Sequence, residues 1–582
     1  MRKIAMMLIG SVLVWALPGI AGAATYYVAQ EDAKAADTND GSEAAPWKTI
    51  NRSIKGIKPG DTVLIKNGTY RESLRLYSDQ GVPSGKSYVE MITIAACPGQ
   101  QPVIKGSEVL TDWKLDKGNV WYTEKAPATP NELPILFCDE KRLDILSDWA
   151  GEFSKMIKGR SGSVEVWKGK KDGKIEDLKA GWYFYDGDAK RLYAWLPDGS
   201  DPNKHLMELT VQAGNGVGIS YVKLSGLKIL HSNLGIGGSH NIVENCQSSD
   251  SAWGGCGVYG EFNTLIGCKF NQCGDSGMGG AGRGHHLINC ETSRNNFLKI
   301  DAGWHSGGCK FISLCTDWVI SGHRASHNID CPGIWFDGFN YNTTIENCVT
   351  DHNGCGIMIE ISSRATIRNN VSFEEYGRGV YLSNSSDCQV YHNVFWHDGQ
   401  SGVACIGSDR GGGEFGEGEK GRLAACNNIV WGNIFVDNCN PKFCPKDMDG
   451  RDKPWDTRPE LIMPEKADVN TGNVSDYNIF YRSPGRVMPF WTGWHLSKDQ
   501  IWDNLADWQA KAGMDKHSII AEPLFLDAAN HDFRPAKGSP AIEFAKPRMG
   551  AQFDGNGQMR PTEDRKDKKP IRWTAGPYEY KP

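Results

Sequence analysis

Residues 332–360 read PGIWFDGFNYNTTIENCVTDHNGCGIMIE, and the pattern at both ends of this stretch recurs along the chain. A glycine opens four similar pentapeptides at intervals of 23 residues: GIWFD at Gly333, GIMIE at Gly356, GVYLS at Gly379 and GVACI at Gly402. Short β-rich runs alternate with Asn, Gly and Ser turns, and no apolar period of 3.6 residues is sustained. A unit of 22–23 residues with about three short strands predicts one coil of a parallel β-helix.

The β-helix interpretation also explains recurrent asparagines and cysteines. Asparagine returns with the same period, at Asn347, Asn370 and Asn393. Stacked in register at one corner, such side chains form a ladder of amides that satisfies the turn backbone. Leucine-rich repeats have a consensus that is missing here, and β-propellers need repeats of about 40 residues. The predicted fold class is therefore all-β, a right-handed parallel β-helix.

The cysteines follow the repeat rather than a disulfide pattern. Cys246, Cys268 and Cys290 are 22 residues apart, so we interpret most of the 17 cysteines as buried packing residues. One disulfide, between Cys439 and Cys444, stays possible. There is no CxxC pair and no Cys/His cluster with zinc spacing, so we expect no metal and no cofactor.

Breaks in the repeat divide the chain into five segments. Residues 1–23 have a charged start, an apolar run and a small-residue cleavage pattern, which predict a signal peptide and a periplasmic or secreted protein. Residues 24–105 should form an N-terminal cap and the first coils. Residues 106–212 lose the period and alternate in aromatic runs, which predicts an inserted antiparallel β-sandwich-like domain. Coils resume over 213–439, and 440–582 should supply the last coils, long loops, one helix near 503–512 and a cap.

Composition limits the partners. A formal net charge of −6 gives no basic field, so we expect no nucleic-acid partner. The leader is too short for a stable span, so we expect no membrane insertion. Twenty Trp and nineteen Tyr suit stacking on sugar rings, although core packing explains many of them equally well.

Strand parity brings two carboxylates together. The third and fifth residues of each pentapeptide should point outward, so Asp337 and Glu360 lie on the outer face, one coil apart. Adjacent parallel strands are ~4.8 Å apart, which predicts carboxyl groups ~5 Å apart. Retaining glycosidases use ~5–5.5 Å, whereas inverting enzymes use ~6.5–9.5 Å. One carboxyl should keep its proton as acid/base while the other is the nucleophile. Trp335, Met358 and Tyr381 should be exposed beside the pair. The alternative is two solvated surface acids.

The segments that end at Asp337 and Glu360 resemble the catalytic strands of glycoside hydrolase family 120, the β-helix β-xylosidases. The N-terminal motif IKPGDTV at 57–63 and an early inserted β-sandwich are also similar. The resemblance implies that Asp337 is the nucleophile and Glu360 the acid/base. The segment GCKF at 308–311 resembles the preceding strand, where the family presents a lysine to the sugar, which implies that Lys310 binds substrate above Trp335. His305 stands where family members carry a carboxylate, which changes the charge of the pocket.

Further side chains are candidates for lining the same pocket. They are Trp304, His305, His352, Glu374 and Tyr381, with a Gly- and Glu-rich loop at 407–422 overhanging them. Each is also explained as a solvated coil-corner residue.

The favoured hypothesis is an exported retaining glycoside hydrolase that trims a plant or algal oligo- or polysaccharide from its end. Two alternatives stay open. A polysaccharide lyase would cleave a uronide by β-elimination with Lys310 and Arg324 or Arg364, although no cluster of calcium ligands is apparent. A non-catalytic carbohydrate-binding β-helix would have the fold without using the carboxylates. The sugar and the oligomeric state are left open.

Overall fold

The chain folds as a right-handed parallel β-helix with three long sheets, as the repeat predicted. The computed structural model describes residues 22–126, 135–146, 174–186, 189–211, 214–300, 305–407, 425–443, 459–463, 472–491, 501–548, 551–562 and 570–581. Each coil passes through sheet 1, then sheet 2, then sheet 3, and each sheet has 13 strands. In this described part of the chain, no helix is both long and apolar enough to cross a membrane.

The strands are short and stack in sequence order. Sheet 1 contains Thr25–Val28, Thr62–Ile65, Ile92–Ala96, Val222–Ser225, Ile242–Glu244, Thr264–Ile266, His286–Ile288, Val319–Ser321, Thr344–Glu346, Thr366–Arg368, Gln389–Tyr391, Ile429–Trp431 and Val474–Asp476. Sheet 2 contains Thr69–Tyr70, Val103–Lys105, Lys228–Leu230, Gln247–Ser249, Lys269–Asn271, Glu291–Ser293, Arg324–Ser326, Val349–Asp351, Val371–Phe373, Val394–Trp396, Ile434–Val436, Ile479–Tyr481 and Ile519–Ile520. Sheet 3 contains Arg75–Leu76, Asn215–Val217, Leu234–Ile236, Cys256–Val258, Met278–Gly280, Cys309–Ile312, Pro332–Asp337, Cys355–Glu360, Val380–Ser383, Val403–Ile406, Leu461–Ile462, Phe490–Trp491 and Ile501–Trp502.

Alternation along the strands builds the core. In the strand Pro332–Asp337, Ile334 and Phe336 are completely buried, and they stack on Ile357 and Ile359 of the next coil. The same inward columns continue through the following strands, so the core is one apolar rod that every coil extends. Burying one such side chain stabilises the fold by roughly 1.5–3 kcal/mol.

The corner between sheets 1 and 2 holds an amide ladder. The backbone N–H of Asn370 donates to Asn393 Oδ1, that of Asn393 to Asn433, and that of Asn433 to Asn478. The predicted member Asn347 is not in this ladder. Cys348 takes its place and donates its N–H to Asn370, because the coil from Thr344 to Thr366 has 22 residues rather than 23.

The corner between sheets 2 and 3 holds a second ladder in which two carboxyls replace amides. It runs through Asn295, Asn328, Asn353, Glu375, Asp398 and Asn438. The side chain of Asn438 then donates to Glu460, which pairs with Arg482 at 2.6 Å. Burial raises the pKa values of Glu375 and Asp398 well above their usual range, which favours the protonated form of each.

The cysteines behave as predicted. Among the described cysteines all are free, and all but Cys426 are buried. Cys246, Cys268 and Cys290 occupy the sheet 1–sheet 2 corner in successive coils, before His323 and Cys348 continue it. The suggested partner of Cys439, Cys444, lies outside the described residues.

An insertion leaves the β-helix between the sheet 2 strand Val103–Lys105 and the sheet 3 strand Asn215–Val217. One of its sheets contains Lys141–Arg142, Leu136–Cys138, Met207–Thr210 and Ser107–Val109, and the other contains Asp144–Ile145, Trp182–Asp186, Arg191–Trp195, Val120–Thr123 and Lys114–Lys117. The two sheets share an apolar cluster with Ala252 and Leu298 of the coils. Buried Glu208 pairs with Arg71 and Lys105 at 2.6 Å each, which anchors the insertion beside sheet 3.

Short helices and a hairpin complete the chain. The α-helix Ile50–Ser53 covers the first coils, where a cap was expected, and Leu505–Asp507 with the π-turn Trp508–Ala512 matches the predicted helix. Four 3₁₀ turns are Ser78–Gln80, Ile175–Asp177, Pro202–Lys204 and Ala528–Asn530. The hairpin Phe525–Asp527 and Asp532–Pro535 packs on sheet 2.

Candidate active site

Sheet 3 presents the predicted carboxylates on neighbouring strands. Asp337 ends the strand Pro332–Asp337, Glu360 ends Cys355–Glu360, and the two residues are direct partners in the parallel ladder. Strands in a sheet lie ~4.8 Å apart, so the two side chains leave the same face one rung apart. Glu360 is the more buried, at 6% exposure, while the Asp337 side chain is 24% exposed.

Lys310 connects this pair to the preceding coil. Its Nζ lies 3.0 Å from Asp337 Oδ2 and 3.4 Å from the centre of the Trp335 ring. Lys310 and Trp335 are ladder partners, as the sequence predicted. Burial lowers the pKa of the Lys310 ammonium, and the negative charges of Asp337 and Glu360 act against that shift. The ammonium therefore sits between an aromatic face and two carboxyl groups.

Trp335 is buried, contrary to the expectation that it would be exposed. It is only 1% exposed, because the Lys310 side chain lies across its ring. In the described part of the chain, no group hydrogen-bonds to its Nε1. Trp335 therefore supports the Lys310 side chain and does not offer an exposed ring on which a sugar could stack.

The C-terminal side of the pair carries large side chains. Tyr381, two rungs below Trp335, is half-buried with the guanidinium of Arg378 4.5 Å from its ring centre. It packs against a small apolar cluster that includes Ile406 and Trp491. Met358 separates Tyr381 from Trp335 and is also half-buried.

The N-terminal side carries small residues instead. The column that contains Lys310 and Trp335 continues toward the N-terminus as Gly279, Gly257 and Gly235. Large side chains therefore cover the outer face at the carboxylates and on their C-terminal side, whereas glycines line it on their N-terminal side. The outer face is less crowded on the N-terminal side of the site.

Asp275 is a pocket residue that the sequence analysis missed. It is 8% exposed, and its carboxylate accepts from Ser306 Oγ at 2.5 Å and lies 3.0 Å from Nε2 of the candidate His305. Its charge also reaches Lys310. A carboxylate is thus present next to His305 after all, but the preceding coil supplies it. No local motif reveals this, since Asp275 and His305 are 30 residues apart.

Two other candidates lie elsewhere. His352 and Glu374 contact each other at the sheet 2–sheet 3 corner, and the strand Cys355–Glu360 separates that corner from Glu360. At about 3.3 Å per residue, this strand alone spans about 17 Å. Trp304 lies outside the described residues, as does the predicted overhanging loop from residue 408 onward.

Comparisons with known proteins identify the architecture. A family described as "Right handed beta helix region" matches residues 232–411, and one described as "Protein of unknown function (DUF1565)" matches residues 33–76. No curated protein matches the sequence.

Solved structures agree with the family match. "The complex structure of XylC with xylose" has a TM-score of 0.55 at 15% identity and covers 95% of this chain and 98% of that chain. A structure titled "Glycoside hydrolase" has a TM-score of 0.51 at 13% identity and covers 64% of this chain and 94% of the other. At such identities the similarity shows the fold alone, a right-handed parallel β-helix.

Proposed function

We propose that this protein is a retaining glycoside hydrolase with Asp337 as nucleophile and Glu360 as acid/base. The observation that carries the proposal is the in-register pairing of these two residues on sheet 3, with Lys310 3.0 Å from Asp337. One rung of a parallel sheet gives a spacing close to the ~5–5.5 Å of retaining enzymes.

The ion pair with Lys310 supports this division of roles. In the proposed mechanism the Asp337 carboxylate attacks the anomeric carbon and forms a glycosyl-enzyme ester. Glu360 is more buried and lies one rung further from Lys310, so it carries the proton for the leaving oxygen. Glu360 then removes a proton from the water that cleaves the ester, which restores both carboxyls and retains the anomeric configuration.

The large side chains on the C-terminal side support an exo-acting enzyme. In this proposal Tyr381 and its cluster limit the substrate behind the carboxylates, and the sugar chain lies over the glycines on the other side. The similarity to a structure solved with xylose supports a β-xylosidase-like substrate. Asp275 and His305 provide a hydrogen-bonding edge for sugar hydroxyls. The predicted leader supports the proposal that this activity is periplasmic or secreted.

A panel of aryl glycosides and uronic-acid polymers tests the proposal. Wild type should release the aryl group from at least one glycoside, and ¹H NMR should show the retained anomer first. Glu360→Gln should lower kcat by about 10²–10⁴-fold, and Asp337→Ala should abolish turnover. Glu244→Gln, a carboxylate on sheet 1 paired with Lys223, is the matched control and should be fully active.

The alternatives give different results. Unsaturated products from a uronide would identify a lyase, in which Lys310, whose pKa is lowered by burial, would remove the proton. Sugar binding without turnover would identify a non-catalytic binding protein. Hydrolysis that survives both carboxylate substitutions would refute the site.

A further inference from the structure

A cluster of histidine and carboxylate side chains lies at the sheet 2–sheet 3 corner, separate from the carboxylate pair. Its centre is Asp351, whose side chain is only 2% exposed. Asp351 Oδ2 lies 3.4 Å from His327 Nδ1 and 3.2 Å from His352 Nδ1, and it accepts a 2.7 Å hydrogen bond from Ser326 Oγ. Two imidazole nitrogens and one carboxylate oxygen therefore converge on one point.

The repeat itself creates this convergence. His327 and His352 each follow the sheet 2 strand of successive coils, and their rings stack with centres 4.4 Å apart and planes within 8°. Both residues adopt left-handed backbone angles, with φ of 55° and 53°. Histidine is among the non-glycine residues that adopt this conformation most often. The same corner position is left-handed in other coils, at Arg294, Glu374 and His397, so the backbone angle belongs to the repeat.

We propose that His327, His352 and Asp351 bind a first-row transition-metal dication such as Zn²⁺. Zinc bonds of about 2.0–2.2 Å to nitrogen and oxygen in a tetrahedron require ligand atoms about 3.3–3.5 Å apart. The two nitrogen–oxygen separations at Asp351 are already 3.4 and 3.2 Å. The three ligand atoms all lie within 4.8 Å of one another. Imidazole lone pairs lie in the ring plane, so both rings must tilt out of their parallel stack to bind one ion. Two imidazoles with one carboxylate suit zinc and its neighbours rather than calcium.

The groups behind the ligands fit the same interpretation. His352 directs Nδ1 at Asp351, and its Nε2 lies 3.4 Å from Glu374 Oε2. A carboxylate on the far nitrogen of a metal-bound histidine fixes its tautomer and strengthens it as a ligand. Arg324 holds the other Asp351 oxygen, Oδ1, at 2.6 Å. The carboxylate is thus oriented with Oδ2 toward the two imidazole nitrogens. A bound ion would displace the Ser326 hydroxyl, which lies 2.7 Å from both Asp351 Oδ2 and His327 Nδ1.

The site is also accessible. The His327 side chain is half exposed, which provides an entry path and a fourth position for water. The bound ion would tie two successive coils together, and Glu374 would extend the connection to His531 of the C-terminal hairpin, 3.9 Å away.

The sequence could not reveal this set, since the two histidines are 25 residues apart and belong to different coils. Zinc spacing within one segment, the pattern sought in the sequence, is therefore the wrong criterion in a β-helix.

Titration of the untagged full-length protein with Zn²⁺ by calorimetry, and with Co²⁺ by visible absorption, tests the proposal. We expect one ion per chain, a Co²⁺ spectrum of four-coordinate intensity, and a higher Tm with Zn²⁺. Loss of an outer-shell partner commonly costs 10–100-fold in affinity. Glu374→Gln should therefore weaken binding by about tenfold, and His327→Ala and Asp351→Asn by about 100-fold or more. His397→Ala removes a histidine from the same corner two coils further on and should bind like wild type.

The outcomes are distinct. Binding that is absent, or equal in wild type and His327→Ala, would overturn the proposal and leave a hydrogen-bonded cluster of two histidines on Asp351. Binding lost equally in His397→Ala would overturn it too, since that result means non-specific chelation. If Asp351→Asn fails to fold because Arg324 loses its partner, the exposed His327 variant still decides the question.

Discussion

Replacing Asp398 with asparagine should stabilise the protein at neutral pH, and more so as the pH rises. Asp398 stands in a ladder between Glu375 and Asn438, and Asn353 lies one rung beyond Glu375. It is completely buried, and burial, reinforced by Glu460, raises its pKa well above the usual range. Its Oδ1 accepts the backbone N–H of Glu375 at 3.2 Å, and an asparagine oxygen would accept the same bond.

The new amide N–H₂ group would also find an acceptor. The ladder asparagines donate to the carbonyl of the sheet 2 strand one coil earlier: Asn353 to Ala325, and Asn438 to Phe395. The equivalent carbonyl for position 398 belongs to Ser372. The substitution therefore keeps the ladder and removes an ionisable group.

The magnitude follows from linkage. In the unfolded chain the carboxyl has a pKa of about 3.9 and is ionised at pH 7, while the folded state keeps it protonated. Because the folded-state pKa is raised, the contribution of Asp398 to stability is complete below pH ~4 and is lost as the pH rises. The loss is about 1.4 kcal/mol per pH unit, so it reaches at most about 4 kcal/mol at pH 7.

Urea denaturation of wild type and Asp398→Asn at pH 5, 6, 7 and 8 measures the effect. The difference in free energy of unfolding should grow with pH until the folded-state carboxyl ionises, and then stay constant. Asn353→Asp is the matched control, because it introduces a carboxyl into the same ladder and should destabilise with the opposite pH dependence. A difference that is independent of pH would refute the reasoning, since it would mean that Asp398 is ionised in the folded protein.

Three further predictions concern the site and the repeat. Lys310→Met should lower kcat/KM by about 10²-fold or more, because Asp337 loses its ammonium partner at 3.0 Å. Steady-state kinetics on the best aryl glycoside measures this loss. An unchanged kcat/KM would mean that Lys310 has no part in the reaction. His323→Asn should make stability less sensitive to acid. Burial lowers the pKa of His323 to about 4, so its stabilising contribution is lost as the pH falls from ~6.5 toward ~4. The urea midpoint should therefore change less over that pH range in the variant than in wild type. Gly356→Ala should lower the Tm by several degrees, because the new Cβ would lie 2.5 Å from the Gly379 carbonyl oxygen. Gly235→Ala is the control and should be tolerated, since its Cβ would meet no atom closer than 3.7 Å. Equal Tm values for the two variants would contradict this packing argument.

The sequence predicted the features that repeat. Period and parity were enough to place Asp337 opposite Glu360 and Lys310 beside Trp335, because stacking in a parallel sheet turns equal sequence position into spatial contact. The exact length of each coil was not predicted. The coil from Thr344 to Thr366 has 22 residues, so Cys348 rather than Asn347 meets Asn370 in the ladder.

Features that depend on side-chain length or on loops were not predictable. Trp335 faces outward as parity requires, yet the long Lys310 side chain covers it. Asp275 and His305 lie in the turns before two neighbouring sheet 3 strands, and only the folded arrangement of those turns brings them into contact. His352 and Glu374 have the right chemistry for a pocket, but they belong to the opposite end of the sheet 3 strand.

The 23-residue coil also sets a length scale for chemistry. Asp337 and Glu360 are close because one repeat separates them, so their distance is quantised in rungs of ~4.8 Å. Duplicating a single coil between them would leave each strand with neighbours of its own kind and move the carboxyls to about 9.6 Å. That is the upper end of the ~6.5–9.5 Å range in which glycosidases admit a water and invert the anomeric carbon. In a scaffold of this kind, stereochemical outcome becomes a matter of how many repeats the chain inserts.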